Sequence, residues 1–254
     1  MTAPPRAETR ILIGAGSFAD ASTALKILGR LAGGVNVAFG GLLIEDRDML
    51  NICQIPNQRV VSASGTLVFA PSPAQLRTVL EADAKAFQRS LAEVAGLAGA
   101  AWSFEHSIGE LVQQSLTASA GWDIVVVGHR SVHPMRGKII SLRATPVADD
   151  ALEAFSDRLA KALGADHLVF SVGEQSDGPP RSHVFADLDG ALAALARMNV
   201  QAVLLDLAHG PVRTPDQLRQ VLEVARCPLF VFGAAGSGDQ LEHSTQIPPS
   251  RDRP

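Results

Sequence analysis

Short apolar runs alternate along this chain with longer stretches whose apolar residues recur at helical spacing. Residues 10–14 (RILIG) form a β-branched run, followed by a small-residue turn and an Ala/Leu-rich segment that reaches Ala32. Gly33-Gly34 then stands where a helix would stop, since glycine closes a helix at little steric cost. A second strand is predicted over 35–44, where Gly40-Gly41 marks either a bulge or a close backbone approach. Val60-Val61 and residues 66–69 flank Ser64-Gly65, the arrangement of a small hairpin.

The next helix carries its own start signal. Ser72 and Gln75 form a capping box with Pro73 at the first helical position, and Leu76, Leu80, Phe87, Leu91 and Val94 then share one face. Residues 100–105 predict a strand. Ser107 with Glu110 predicts the cap of a helix that bears Ile108, Leu111, Val112 and Leu116 and ends at Gly121. Residues 122–128 (WDIVVVG) are a continuous apolar run, the kind buried on both faces of a parallel sheet.

The alternation continues in shorter form. Strands are predicted over 138–143, 167–172, 200–207 and 227–233, with helices over 149–163, over 188–198 and from Thr214-Pro215 with Gln217 as its cap. Residues 173–181 read as a polar Gly/Pro loop, 1–9 as a flexible start and 234–254 as a flexible tail. About eight strands alternating with helices predict an α/β fold, a mainly parallel sheet with helices on both faces. Ligands in such folds bind beyond the carboxyl ends of the strands, which directs attention to the segments after Ile13, Leu43, Val127, Leu142, Val172, Leu205 and Phe232.

The opening RILIGAGSFADASTALKILGRLA resembles the first strand, turn and helix of universal stress proteins. The stretch from Ser107 through WDIVVVGHRS resembles their third helix and fourth strand, and LRQVLEVARCPLFVFG their last helix and a final strand introduced by Cys-Pro. The second half, from KIISLRATPVADDALEAFSDRLAKALGADHLVFSV, is similar to another such unit with its middle shortened. The resemblance implies tandem units of the adenine nucleotide α-hydrolase-like type: a first over 10–137 and a second, shortened one over 138–233. It also implies an intramolecular pseudo-dimer, with a homodimer as a further expectation.

Departures from the family's pattern bear on the ligand. Nucleotide-binding members carry an aspartate just after the first strand, whereas Gly14-Ala15-Gly16-Ser17 stands here and the first carboxylate is Asp20. The family's glycine pattern after the fourth strand, G-x2-G-x9-G-[S/T], has Gly128 at its first position but Ser131, Ser141 and Leu142 at the others. Ordinary ATP binding is therefore expected to be weakened or lost, with ATP or AMP as the cofactor candidates.

Composition narrows the classes. The 254 residues are 46% hydrophobic and 19% charged, a core-forming balance, and the formal charge of -4 argues against a general nucleic-acid partner. Cys53 and Cys227 lie far apart without a CxxC spacing, which argues against a disulfide scaffold and a cysteine zinc cluster. No apolar run approaches the roughly 20 residues that cross a bilayer, and Ile11-Leu12-Ile13 is too short for a signal-peptide core. A cytoplasmic location without membrane contact is expected.

Two loops carry candidate chemistry. His129, Arg130, His133, Arg136 and Lys138 place several cations near Gly128, Ser131 and Gly137, and arginine suits bidentate phosphate or carboxylate binding. The competing readings are a solvated basic loop or a subunit contact. Gly14, Ala15, Gly16 and Ser17 would let a backbone approach a phosphate at a helix N-terminus, or would simply make a tight turn with Ser17 as its cap. Asp206 and His209 invite an acid–base reading against a turn-stabilising one. No nucleophile elbow is present, and no metal site is predicted. The expectation is a universal-stress-protein-like binding or regulatory protein in stress response, not an enzyme. Its candidate partners are an adenine nucleotide, another small anion or a protein; the alternatives are a slow ATP hydrolase and a protein-interaction scaffold.

Overall fold

The computed structural model describes residues 8–31, 36–55, 58–61, 65–130, 137–144, 150–173 and 182–236. Its first half runs β1 (Thr9–Ala15), α1 (Phe18–Leu31), β2 (Val37–Glu45), α2 (Arg47–Ile52), β3 (Arg59–Val61), β4 (Leu67–Phe69), α3 (Pro73–Ala98), β5 (Ala101–Ile108), α4 (Leu111–Thr117) and β6 (Ile124–Val127). The second half runs β7 (Lys138–Ala144), α5 (Asp150–Leu163), β8 (His167–Val172), β9 (Ser182–Phe185), α6 (Leu188–Leu195), β10 (Val200–Asp206), α7 (Pro215–Ala225) and β11 (Leu229–Phe232). Gly33-Gly34, the 174–181 loop, residues 1–7 and the tail beyond Gly236 lie outside the described residues.

Nine strands form one sheet in the order β5-β2-β1-β6-β11-β10-β7-β8-β9. Each half repeats one arrangement: its first strand, β1 or β7, lies between its second and a later one, with the next strand outermost. All pairs are parallel except β6 with β11, where Leu229 to Phe232 run antiparallel against Val127 to Ile124. The two sets of strands therefore point in opposite directions, and their carboxyl ends open at opposite ends of the sheet. Side chains of α1, α3 and α5 fill one core layer; those of α4, α6 and α7 fill the other.

Burial follows position in the sheet. Every residue of β6 is buried, as a central strand covered on both faces requires, whereas the edge strand β5 is largely exposed. Gly40 and Gly41 mark a close approach, not a bulge, since the registers with β1 and β5 run unbroken. A Cβ at Gly40 would fall 2.5 Å from Trp122, and one at Gly41 would fall 2.8 Å from Leu91.

Tertiary pairing moved several boundaries. β5 continues to Ile108 because Ser107 and Ile108 pair with Ile44 and Glu45. The cap of α4 passes from Ser107 to Glu110, whose carboxylate accepts from the Val112 and Gln113 amides at 3.1 and 2.7 Å. α4 ends at Thr117, with Gly121 in the following turn, and α6 ends at Leu195. α2 and β9 add elements that the apolar pattern does not announce, while the β3–β4 hairpin forms as expected.

Gly14 is fixed by packing as well. A Cβ there would lie 2.1 Å from Ser115 Oγ, a buried hydroxyl with no hydrogen-bond partner among the described residues. Gly14→Ala should destabilise the protein by about 1–3 kcal/mol through overpacking. Ser115→Ala alone should be near neutral and should recover part of the loss in the double variant, as chemical denaturation would show. Additive losses would exclude this contact as the cause.

Candidate functional site

In an open parallel sheet, a crevice forms where successive connections leave a strand in opposite directions. The first half has that point between β1 and β6, and it brings Gly14, Ala15, Gly16 and Ser17 beside Gly128, His129 and Arg130. The Gly128 N–H donates to the Gly14 carbonyl at 2.7 Å. Ser17 Oγ donates to Asp20 Oδ2 at 2.6 Å and accepts from the Asp20 N–H at 3.2 Å, so Ser17 caps α1. The Arg130 N–H donates to Asp20 Oδ1 at 3.0 Å, and His129 Nδ1 donates to the Arg130 carbonyl at 2.8 Å.

Asp20 thus joins the two loops across the crevice. Its carboxylate engages one donor from each, and the Arg130 and Gly128 amides, which could have faced an anion, point at protein oxygens. Asp20 is the first carboxylate after β1, five residues beyond Ala15. The signal was present in Ser17-x-x-Asp20, a helix-capping spacing. Gly16 alone leaves the turn open: the nearest atoms to a Cβ there would be Asp20 Oδ2 and the Ile44 carbonyl, both at 3.9 Å.

Of the remaining predicted positions, Gly137 stands outside this cluster. Ser131 and Arg136, with His133, lie outside the described residues. Gly137 immediately precedes β7, and a Cβ there would come within 2.8 Å of the Gln201 nitrogen and 2.9 Å of the Asn199 carbonyl. β11 and β10 separate β6 from β7, so Gly137 stands roughly 14 Å across the sheet from Gly128, three strand spacings away.

Beyond β2 and β5, a hollow is lined by Asp46, Arg47, Asp48, Glu110 and Gln114. Its charge is mainly acidic, which disfavours a polyphosphate. Glu110 also reaches the second half: Arg219 of α7 meets it at 3.3 Å and pairs with Asp216 at 2.6 Å. Burial opposes the Glu110 carboxylate, but the Arg219 hydrogen bond and the Gln113 and Val112 amides outweigh it and hold its pKa below the ordinary value.

In the second half the corresponding point lies between β7 and β10. Asp206 Oδ1 accepts from the Ala208 N–H at 2.7 Å, Oδ2 meets His209 Nδ1 at 2.9 Å, and the Gly210 N–H donates to the Asp206 carbonyl at 2.8 Å. These bonds build the turn, the role that competed with acid–base chemistry. Arg143, at the lip of a shallow pocket shared with Asp206 and His209, bonds to Glu153 and to Ser171 Oγ.

A serine–histidine–aspartate row went unrecognised in the sequence because its members come from three elements. Ser141 of β7 bonds to His167 Nε2, and His167 Nδ1 lies 2.7 Å from Asp157 Oδ1 of α5. Ser141 is fully buried in mid-strand, so no substrate reaches its hydroxyl; the row fastens α5 to the sheet. Cys53 and Cys227 are both buried, and burial pushes the Cys227 thiol far up. No group of three or more metal-ligating side chains occurs among the described residues, nor is any helix there long and apolar enough to cross a membrane.

No family model matches the chain, and no curated protein does. Solved structures do. A universal stress protein from Archaeoglobus fulgidus DSM 4304 is 14% identical, at a TM-score of 0.47 over 87% of this chain and 95% of that one. A protein of unknown function from Pseudomonas aeruginosa PAO1 is 12% identical, at 0.46 over 93% and 96%. A provisionally named universal stress protein from Pseudomonas aeruginosa UCBPP-PA14 is 11% identical, at 0.47 over 92% and 96%. These likenesses concern the path of the chain and carry no information about ligand or activity.

The Glu110 geometry has a measurable consequence. Because the folded pKa is depressed, its contribution is complete above the ordinary value of 4.5 and fades as pH falls through the folded one. Glu110→Ala should cost about 1 kcal/mol at neutral pH, chiefly as a lost helix cap, since exposed ion pairs add little. Denaturation across pH should show that difference shrinking below about pH 4. A pH-independent difference would contradict the assignment.

Proposed function

We propose that this chain is a universal-stress-protein-like binding and regulatory protein acting in the stress response in the cytoplasm. It has two units, over 10–137 and 138–233, joined as an intramolecular pseudo-dimer. It has no catalysis of its own, and its ATP binding is weakened or lost. The observation that carries the ligand part is the Asp20 bridge, in which one carboxylate takes the Ser17 hydroxyl and the Arg130 amide. A phosphate entering that crevice would meet a carboxylate in place of free N–H donors. The repeated strand order of the two halves supports the tandem reading, and the full burial of Ser141 supports a non-catalytic role for the serine row.

A second reading, an adenine-nucleotide binder or slow hydrolase, draws on one feature. Arg130 is exposed beside the open Gly16 turn, and its side chain makes no ion pair among the described residues. A bound anion could recruit it.

Calorimetric titration with ATP, ADP and AMP separates the two. The wild type should show no binding tighter than about 1 mM, a free energy near −4 kcal/mol. Asp20→Ala, which frees the Arg130 N–H and removes a negative charge, should bind at least as tightly as the wild type and never more weakly. Micromolar binding to the wild type, weakened by Arg130→Ala, would overturn the proposal in favour of the second reading.

A further inference from the structure

Strand β5 closes one side of the nine-stranded sheet, and no described strand pairs with its outer edge. Its eight residues keep an unbroken register with β2, from Ala101 beside Ala38 to Ile108 beside Glu45. An edge is ordinarily blunted by a short strand, a bulge, a proline or a lysine. The sequence AWSFEHSI has none of these. The Gly109 N–H donates to the Glu45 carbonyl at 3.0 Å, which sets the phase of the ladder. In a parallel ladder alternate residues bond the same neighbour, so the backbone groups of Ala101, Ser103, Glu105 and Ser107 face β2. Those of Trp102, Phe104, His106 and Ile108 face outward, without a hydrogen-bond partner among the described residues. Side chains alternate with the same period. Trp102 and Ile108, 42% and 51% exposed, share one face with Phe104 and His106. His106 is paired there with Glu45. Glu105 lies on the other face between Ser103 and Ser107, exposed and without an ion-pair partner among the described residues.

We infer that β5 takes up an extended segment of a different protein as a further strand of the sheet. That segment carries apolar residues against Trp102 and Ile108 and a lysine or arginine against Glu105. The outward donors and acceptors recur at every second residue, the spacing that another strand meets, so main-chain bonds supply the affinity and side chains the choice of partner. Charge selects against a second copy of this chain. A symmetric antiparallel pair keeps each residue on its own face, so the registers of fullest overlap centre on Phe104 or on Glu105. The second sets Glu105 directly opposite its counterpart, and the first leaves the two on a diagonal of about 7–8 Å. Like charges so placed repel, whereas a basic side chain in the same place attracts. This inference names the kind of partner for the binding and regulatory role proposed above and rests on that reading.

The probe is a synthetic peptide of the same eight residues' length as β5, alternating valine and threonine with lysine at one central threonine position. It is titrated into the full chain by fluorescence anisotropy, and amide hydrogen exchange is read in the complex. Binding should slow exchange at Trp102, Phe104, His106 and Ile108 and leave Ser103, Glu105 and Ser107, already bonded to β2, unchanged. Glu105→Lys, on exposed surface, should weaken the lysine peptide about tenfold and strengthen by a similar factor a peptide with glutamate in the lysine's place. A wild type that ignores the lysine peptide at about 1 mM would overturn the inference. So would protection without the alternation, or a peptide preference indifferent to the Glu105 variant. Outward amides already protected in concentrated protein without peptide would assign the edge to a second copy instead. Loss of peptide binding strikes this inference alone, whereas micromolar nucleotide binding strikes the reading on which it rests.

Discussion

Four residue pairs, from Leu229 with Val127 to Phe232 with Ile124, join two parallel half-sheets that run in opposite directions. Left unpaired, β6 would expose the edge of an uninterrupted Ile-Val-Val-Val strand, a template for aggregation. β11 covers that edge with backbone hydrogen bonds and lets both core layers continue across the molecule. α1 meets α5 on one face, and α4 meets α7 on the other. The Glu110–Arg219 pair then spans the same boundary at the surface.

The seam also dictates where chemistry is available. Opposed strand directions place one crevice at each end of the sheet, and each is closed differently. In the first, Asp20 bridges the loops after β1 and β6; in the second, Asp206 organises the turn after β10. Asp20 sits in the first turn of α1 and Asp206 at the end of β10, so both put a carboxylate where an anion-binding protein would present donors. Because the chain passes from β6 to β7 across two intervening strands, Gly128 and Gly137 stand apart, although few residues separate them in sequence.

Much of the fold was legible because its local signals agree with its tertiary context. Both capping boxes, Ser72 with Gln75 and Thr214 with Gln217, form with their prolines in the first turn. The apolar run of β6 lies in the centre of the sheet, as its composition requires. Legibility failed where distant partners decide. Ser107 and Glu110 match a capping box, but pairing with β2 draws Ser107 and Ile108 into β5 and leaves Glu110 to cap alone. α2 buries no residue and so has no apolar face to announce it. Asp20 could be read as the partner of the Ser17 cap; its bond to the Arg130 amide depends on β1 lying next to β6, which no local pattern encodes. The Ser141–His167–Asp157 row is hidden for the same reason.

The claim that the two halves are one body through this seam is tested most directly by native-state hydrogen exchange read amide by amide. If β6 and β11 pair at the centre of a continuous sheet, their amides should exchange only through global unfolding, at the same free energy as those of β1 and β10. Rapid exchange along β6 and β11, with slow exchange surviving in the flanking strands of each half, would mean separate sheets and would contradict the account.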